Sequence, residues 1–340
     1  MQVIHTEAHA RHAPLSFVLR GKVVDSPECP ERGFRLIEAI RDAGHPVAAP
    51  RAFPESAIAA VHTTDYLQFL ATAHARWSAL PDAGPEVKGN THPGRHMFHR
   101  PDNVVGQAGY HMADGACPIG PETWAAARAA ADCALTATDL VTGGARSVYA
   151  LCRPPGHHAF SDMAGGFCFL NNVAIAAEHG RHSTRRVAIL DIDVHHGNGT
   201  QGIFYGRGDV MFVSVHADPA TFYPFFAGYA TERGTGAGLG YNLNLPLPHG
   251  TGDMNWLAAI GHGLDALRHN GTELLFVSLG LDPQENDPLG VLKVTTEGFR
   301  RAGATIAGFG VPTVIIQEGG YLCAEIGANL AAFLDGFENG

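Results

Sequence analysis

Residues Arg186 to Thr200 read RVAILDIDVHHGNGT, an apolar run that ends abruptly in two carboxylates and two imidazoles. Val187 to Ile192 is a short β-branched and aliphatic stretch of the kind that forms a strand buried on both faces of a parallel sheet, and Gly197 and Gly199 punctuate its end. Asp191, Asp193 and His195 share a parity. Side chains two apart in an extended backbone project to one face, so Asp193 and His195 can converge on a single cation while Asp191 stays within reach. Unpaired charge at the end of a buried strand is costly, which argues against reading these residues as a solvated loop.

On either side of this stretch, strand signals alternate with helical ones. Met1 to His5 reads as a first strand, and Pro30 opens a helix with Phe34, Ile37 and Ile40 along one stripe and Gly44 as its stop. A second helix is expected over Asp65 to Leu80. An Ala-rich helix follows, capped by Thr123 and ended by Gly143 and Gly144, and then a strand from Ser147 to Leu151. Beyond a helix over Asn172 to Glu178 come the central strand, the strand VMFVSVH ending at His216, and a helix from Met254 to His269 capped by Asp253. LLFVSLG is a strand ending at Gly280, Thr295 opens a helix to about Gly308, TVIIQ is a strand, and a last helix spans about Ala328 to Phe337. This alternation predicts a three-layer α/β/α single domain with a mostly parallel central sheet, covering residues 1–340. One segment breaks the pattern. Pro81 to Pro121 holds six prolines with His92, Arg95, His96, His99 and Arg100, and reads as a long functional loop with Met97, Phe98, Val104, Val105 and Tyr110 as apolar material for packing.

Composition narrows the function classes. The 340 residues are 45% hydrophobic and 16% charged, and 23 Lys plus Arg against 33 Asp plus Glu give a formal charge of −10, which argues against a nucleic-acid partner. No basic-then-apolar leader is seen, and no run nears the ~20 apolar residues needed to span a bilayer, so no membrane partner is expected and a cytoplasmic location is. The six cysteines show no CxxC pairing and suggest neither a zinc ribbon nor a disulfide framework.

Ligands of an open parallel sheet bind beyond the carboxyl ends of its strands. After Ser147 to Leu151 comes CRPPGHHA, a tight turn presenting His157 and His158; after the central strand come Asp193 and His195; after LLFVSLG comes Asp282; after TVIIQ comes EGGY, with Tyr321 following two glycines. Two Asp and one His suit a hydrolytic zinc site with an open position for water, and iron(II), cobalt(II) or manganese(II) also suits them. A neighbouring imidazole can then serve as general base and acid, and Tyr321 can donate a hydrogen bond to a developing oxyanion.

RPPGHHA, GGFCFLNN, ILDIDVHHGNGTQ, VSVH, SLGLDPQENDP and QEGGY, in that order, together with PERGFRLIEAI and VHTTDYLQFL, resemble the acetylpolyamine amidohydrolase and histone deacetylase family. The resemblance covers nearly the whole chain and implies the arginase-deacetylase fold. It implies Asp193, His195 and Asp282 as zinc ligands, His158 as general base and acid, His157 as a second imidazole that supports it, and Tyr321 as the transition-state tyrosine. Asp191 falls where the family's carboxylate orients the first histidine. Asn198 stands behind the second, where many members carry Asp, and should leave His158 less basic. Asp191, Asp193, His195, Ser214 and Val215 match the family's structural potassium site, and Gly166, Phe167 and Tyr223 match its substrate tunnel.

Within the family, residues 81–121 resemble the insertion of the acetylpolyamine amidohydrolase branch, which forms a dimer interface and narrows the tunnel. Relatives there carry an acidic residue that meets a distal ammonium; Ala116 occupies the aligned position here, and Asp114 is the nearest carboxylate. The expected function is zinc-dependent deacetylation of a small N-acetylated amine by a homodimer. Protein acetyl-lysine is a second substrate class. A non-catalytic acyl-amine binder is disfavoured because the ligand set, His158 and Tyr321 are all kept, and a two-manganese guanidine hydrolase needs more metal donors than the sequence offers.

Overall fold

The computed structural model describes residues 1–184 and 186–340. Its strands are β1 (Gln2–Ile4), β2 (Ser16–Leu19), β3 (Lys22–Asp25), β4 (Val47–Ala48), β5 (Ser147–Ala150), β6 (Val187–Asp191), β7 (Val210–Ala217), β8 (Asn242–Leu247), β9 (Leu274–Leu279) and β10 (Thr313–Gln317). Its α-helices are α1 (Pro30–Asp42), α2 (Glu55–Ala59), α3 (Thr64–Ser78), α4 (Val104–His111), α5 (Thr123–Thr142), α6 (Asn172–Gly180), α7 (Asn198–Phe204), α8 (Asp253–Asn270), α9 (Thr296–Ala307) and α10 (Ile326–Asn339). Eight strands lie in the order β4, β1, β5, β10, β9, β6, β7, β8, and every neighbouring pair is parallel. Strands β2 and β3 form a separate antiparallel hairpin.

The period-two pattern of the strands sorts their side chains into two cores. Val148, Ala150, Val187, Ile189, Phe276, Val314 and Ile316 face one way and pack with Ala130 and Ala134 of α5, Val173 of α6 and Phe69 of α3. Tyr149, Ala188, Leu190, Val213, Val277 and Ile315 face the other way, against Ile37 and Ile40 of α1, Trp256 and Ile260 of α8, Phe299 of α9 and Phe333 of α10. A sheet covered on both faces explains why its central strands are uniformly apolar rather than alternating with polar residues. Strand ends therefore emerge from the core as a group, and the polar residues after β5, β10, β9 and β6 come from four adjacent strands.

Several details differ from the sequence expectations. The segment from Pro81 to Pro121 is not loop throughout: α4 forms inside it, capped by Asn103, whose side chain accepts from the Gly106 N–H at 2.8 Å. Val104, Ala108 and Met112 recur every four residues and are buried, a helical spacing hidden among the prolines. Val87 and Ile119 pair across the segment. Thr123 is the first helical residue of α5 rather than its cap, and its Oγ1 accepts instead from the Gly120 N–H. Asp253 likewise begins α8, with Gly252 at the cap position, and its carboxylate accepts from the Thr295 N–H and hydroxyl, tying α8 to α9. Thr295 does cap α9, and α10 starts two residues earlier than expected. Strand β8 had no apolar signal on one face because Asn242 and Asn244 occupy it, both donating to Gln201 Oε1.

Candidate active site

Donor atoms of Asp193, His195 and Asp282 lie within 4.8 Å of one another, and all three residues are buried. His195 Nδ1 is 3.2 Å from Asp193 Oδ1 and 3.1 Å from Asp282 Oδ2. The carboxylates are aimed by backbone: Asp193 Oδ2 accepts from the Gly319 N–H at 2.8 Å, and Asp282 Oδ1 accepts from the Val194 N–H at 2.9 Å. Gly319 is required by this closeness, since a Cβ there would meet Asp282 Oδ2 at 2.3 Å, and Gly320 has φ +107°, which suits glycine alone.

The donor set fits a divalent cation. Burial raises the Asp282 pKa and the Asp193 charge raises it further. Burial acts to lower the pKa of His195, but Asp193 and Asp282 outweigh it and lift the imidazole to about 9. Two buried carboxylates that draw positive charge onto the histidine between them form a field suited to a cation held by all three.

His157 and His158 arrive on the turn after β5, with ring centroids 4.0 Å apart. Their partners differ. His157 Nδ1 is 3.0 Å from Asp191 Oδ2; burial opposes its protonation, but Asp193 and Asp191 prevail and lift its pKa to about 10. His158 Nδ1 is 2.6 Å from Asn198 Oδ1, which only accepts, so Nδ1 carries the proton and Nε2 is the free lone pair. Burial, followed by the charges of His157 and His195, pulls the His158 pKa far down and keeps this ring neutral. Two adjacent imidazoles thus hold different charges: His157 lies beside Asp193 and Asp191, whereas His158 is buried next to the charges of His157 and His195 and has only the Asn198 amide behind it.

The remaining expected residues fall around this centre. Tyr321 is buried at the end of β10, edge-on to Phe167 at 5.6 Å, and Phe17 packs on the other side of Phe167. Ala116 joins the same apolar group. Tyr223 stands 5.0 Å from the His158 ring, and its hydroxyl donates to Asp114 Oδ2 at 2.6 Å. Asp114 also accepts from the Gly166 N–H at 3.2 Å, so it links Gly166 to Tyr223. Ser214, within β7, pairs in register with Asp191 at the end of β6, and Val215 follows it.

Sequence reasoning missed a supporting set. Glu318 is buried and accepts from the N–H groups of Gly156 and His157 at 2.7 and 3.1 Å, fixing the turn that carries both imidazoles. Phe222 stacks on His195 at 4.8 Å. Asp287 accepts from the Tyr321 N–H at 2.6 Å. Arg32 of α1 donates to the carbonyls of Glu318 and Gly320 and lies 4.9 Å over the Tyr321 ring. Glu28 holds Arg32 at 2.8 Å and Arg153 at 3.0 Å, and Arg153 also donates to the carbonyls of His9 and His12. The available signal was Arg32 itself, a charge that shares the buried side of an amphipathic helix with Leu36.

A family model described as the histone deacetylase domain matches residues 26–337. The acetylpolyamine amidohydrolase of Burkholderia pseudomallei is 48% identical over 331 residues, 96% of this chain and 95% of its own length. Acetylpolyamine amidohydrolase 1 of Pseudomonas aeruginosa is 42% identical over 343 residues, 99% of each. A crystal structure of acetylpolyamine aminohydrolase from Burkholderia pseudomallei, from an iodide soak, superposes with a TM-score of 0.95 at 46% sequence identity, covering 99% of this chain and 98% of that one. The sheet and its two helical layers are the arginase-deacetylase fold.

The Glu28 network yields a pH-dependent prediction. Burial raises the Glu28 pKa, but Arg153, His12 and Arg32 outweigh it and hold the carboxyl at about 2, below its ordinary 4.5. The ionised form therefore contributes fully above pH 4.5 and loses its effect as pH falls toward 2, a contribution of about 3 kcal/mol at neutral pH. Urea unfolding of the parent and of Glu28→Gln should show the largest stability gap at pH 6 to 7 and a steadily smaller one below about 4.5. A gap that stays constant between pH 7 and 3.5 would contradict this.

Proposed function

The chain belongs to the histone deacetylase family, and from that premise we propose that it is an acetylpolyamine amidohydrolase, deacetylating small N-acetylated amines with zinc held by Asp193, His195 and Asp282. It is a hydrolase acting on amide bonds. The observation that carries the proposal is the convergence, at four adjacent strand ends, of a three-donor cation site, a neutral imidazole with a free Nε2, and a buried tyrosine.

A bound zinc ion supplies Lewis acidity, polarising the acyl carbonyl and making water a competent nucleophile near neutral pH. His158 Nε2 accepts the proton of the attacking water, and the ring is held for this by its Nδ1–H bond to Asn198. The same nitrogen then returns the proton to the departing amine. His157, kept protonated by Asp193 and Asp191, places a positive charge beside the developing negative charge. Tyr321 donates its hydroxyl to the oxyanion, on a turn fixed by Asp287 and Arg32. His158→Ala and Tyr321→Phe should each lower kcat by about a hundredfold or more, with metal content and fold unchanged. Turnover within tenfold of the parent, in either variant, contradicts the role assigned to that residue.

Substrate choice follows from the walls. Phe167 and Tyr223 grip a methylene chain without reading its length, so discrimination falls to polar groups farther out. Asp114, tied to Tyr223 and Gly166, is the carboxylate beside that slot, and Ala116 offers no charge. Catalytic efficiency should therefore be highest for acetylputrescine-like or acetylcadaverine-like diamines, lower for acetylspermidine, and lowest for an acetyl-lysine peptide. A peptide hydrolysed faster than every small amine would move the protein to the deacetylases that act on proteins.

We place a structural potassium ion at Asp191, Asp193, His195, Ser214 and Val215, supported by the register of β6 and β7. We also read residues 81–121 as an insertion that mediates a homodimer. Met97 and Phe98 within it are 65% and 84% exposed on the single chain, apolar surface that a second copy would cover. Sedimentation at micromolar concentration should give a dimer that Phe98→Asp dissociates; a monomeric parent contradicts this. No helix among the described residues is long and apolar enough to cross a membrane. The six cysteines are unpaired, which supports a cytoplasmic location, testable by cell fractionation.

A further inference from the structure

A second group of metal donors lies outside the site described above. The sequence HTEAH, residues 5–9, leaves the carboxyl end of β1 and folds directly into a 3₁₀ turn over Glu7–Arg11, with the Thr6 side chain accepting from the Ala8 N–H. The turn brings His9 back over His5, ring centroids 5.0 Å apart. One donor atom each from His5, Glu7 and His9 lies within 4.8 Å of the others, and His5 Nε2 is 3.7 Å from Glu7 Oε1.

Two independent features mark this cluster as built for a ligand. His5 and His9 are 5% and 1% exposed, yet none of their four ring nitrogens has a hydrogen-bond partner. Buried imidazoles are ordinarily satisfied, and two neighbours left wholly unsatisfied are costly unless something occupies the space between them. Helix α1 also makes room for the His9 ring: at Gly33 a Cβ would lie 2.3 Å from His9 Cε1. Burial lowers the pKa of both rings. In His9 the neighbouring His5 and Arg153 add to it and bring the value to about 4, so both rings are neutral donors at physiological pH. Glu7, 69% exposed, closes the set from the solvent side, with the Arg41 guanidinium 3.6 Å from its carboxylate.

We propose that His5, Glu7 and His9 form a second metal site, separate from Asp193, His195 and Asp282, that takes a borderline transition-metal ion such as zinc(II), cobalt(II) or nickel(II). Two imidazoles and one carboxylate select this class over magnesium or calcium, which take oxygen donors. Three protein donors leave the remaining positions to water. Arg41 competes with the ion for Glu7, which makes this site weaker than the fully buried one.

Calorimetric titration of metal-free, full-length protein with zinc chloride tests this. The expected result is a tight first equivalent and a weaker second. Glu7→Gln, an exposed change that leaves the core intact, should weaken the second by about tenfold or more, and Arg41→Gln should strengthen it. His9→Gln should abolish it while the first equivalent and the hydrolysis of an acetylated diamine by one-zinc protein persist. If the His9 variant fails to fold, the opposite shifts of the Glu7 and Arg41 variants decide the matter. A single equivalent in the parent up to millimolar zinc, or a second equivalent indifferent to both Glu7→Gln and Arg41→Gln, overturns the proposal.

Discussion

The structure depends on keeping four carboxylates, Asp191, Asp193, Asp282 and Glu318, fully buried at one end of a parallel sheet. Four carboxylates so close together in a dry interior repel one another when ionised, and burial raises the pKa of Asp191 to about 6 and of Glu318 to about 7. The fold distributes that cost. Glu318 takes two backbone N–H groups, Asp191 takes an imidazole, and Asp193 and Asp282 each take a backbone N–H from the end of another strand. What remains is the space between Asp193, Asp282 and His195, where a cation is the natural complement.

The same economy shapes the proton-handling groups. His157 and His158 are adjacent in sequence and exposed to nearly the same surroundings, but Asp191 stands behind one and Asn198 behind the other. Asp193 and Asp191 together hold a positive charge on His157, while burial and the charges of His157 and His195 keep His158 a neutral base that the Asn198 amide only orients. Tyr321 is held from beneath by a buried charge network that runs from α1 through Glu28 to Arg153 at the end of β5. Placement of the tyrosine is thus coupled to the packing of α1, far from it in the chain.

The central site was legible in the sequence because strand geometry enforces it. Asp193, His195, Asp282, His157, His158 and Tyr321 each come within eight residues after the end of an apolar strand, and the carboxyl ends of a parallel sheet are where such residues gather. Helix α4 was hidden because six prolines around it outweighed the spacing of Val104, Ala108 and Met112. Strand β8 was hidden because its buried face is amide rather than hydrocarbon, satisfied by Gln201. Glu28, Arg32, Arg153 and Glu318 were hidden for a third reason: their partners are backbone atoms and charges distant in sequence, and no local pattern marks a charge that tertiary contacts will satisfy.

Anomalous diffraction at the zinc edge, from crystals of protein reconstituted with one equivalent of zinc, tests the central claim most directly. The account predicts a peak about 2.0–2.2 Å from a nitrogen of His195 and from carboxylate oxygens of Asp193 and Asp282. A peak elsewhere, with these three side chains engaged only with one another, would contradict it.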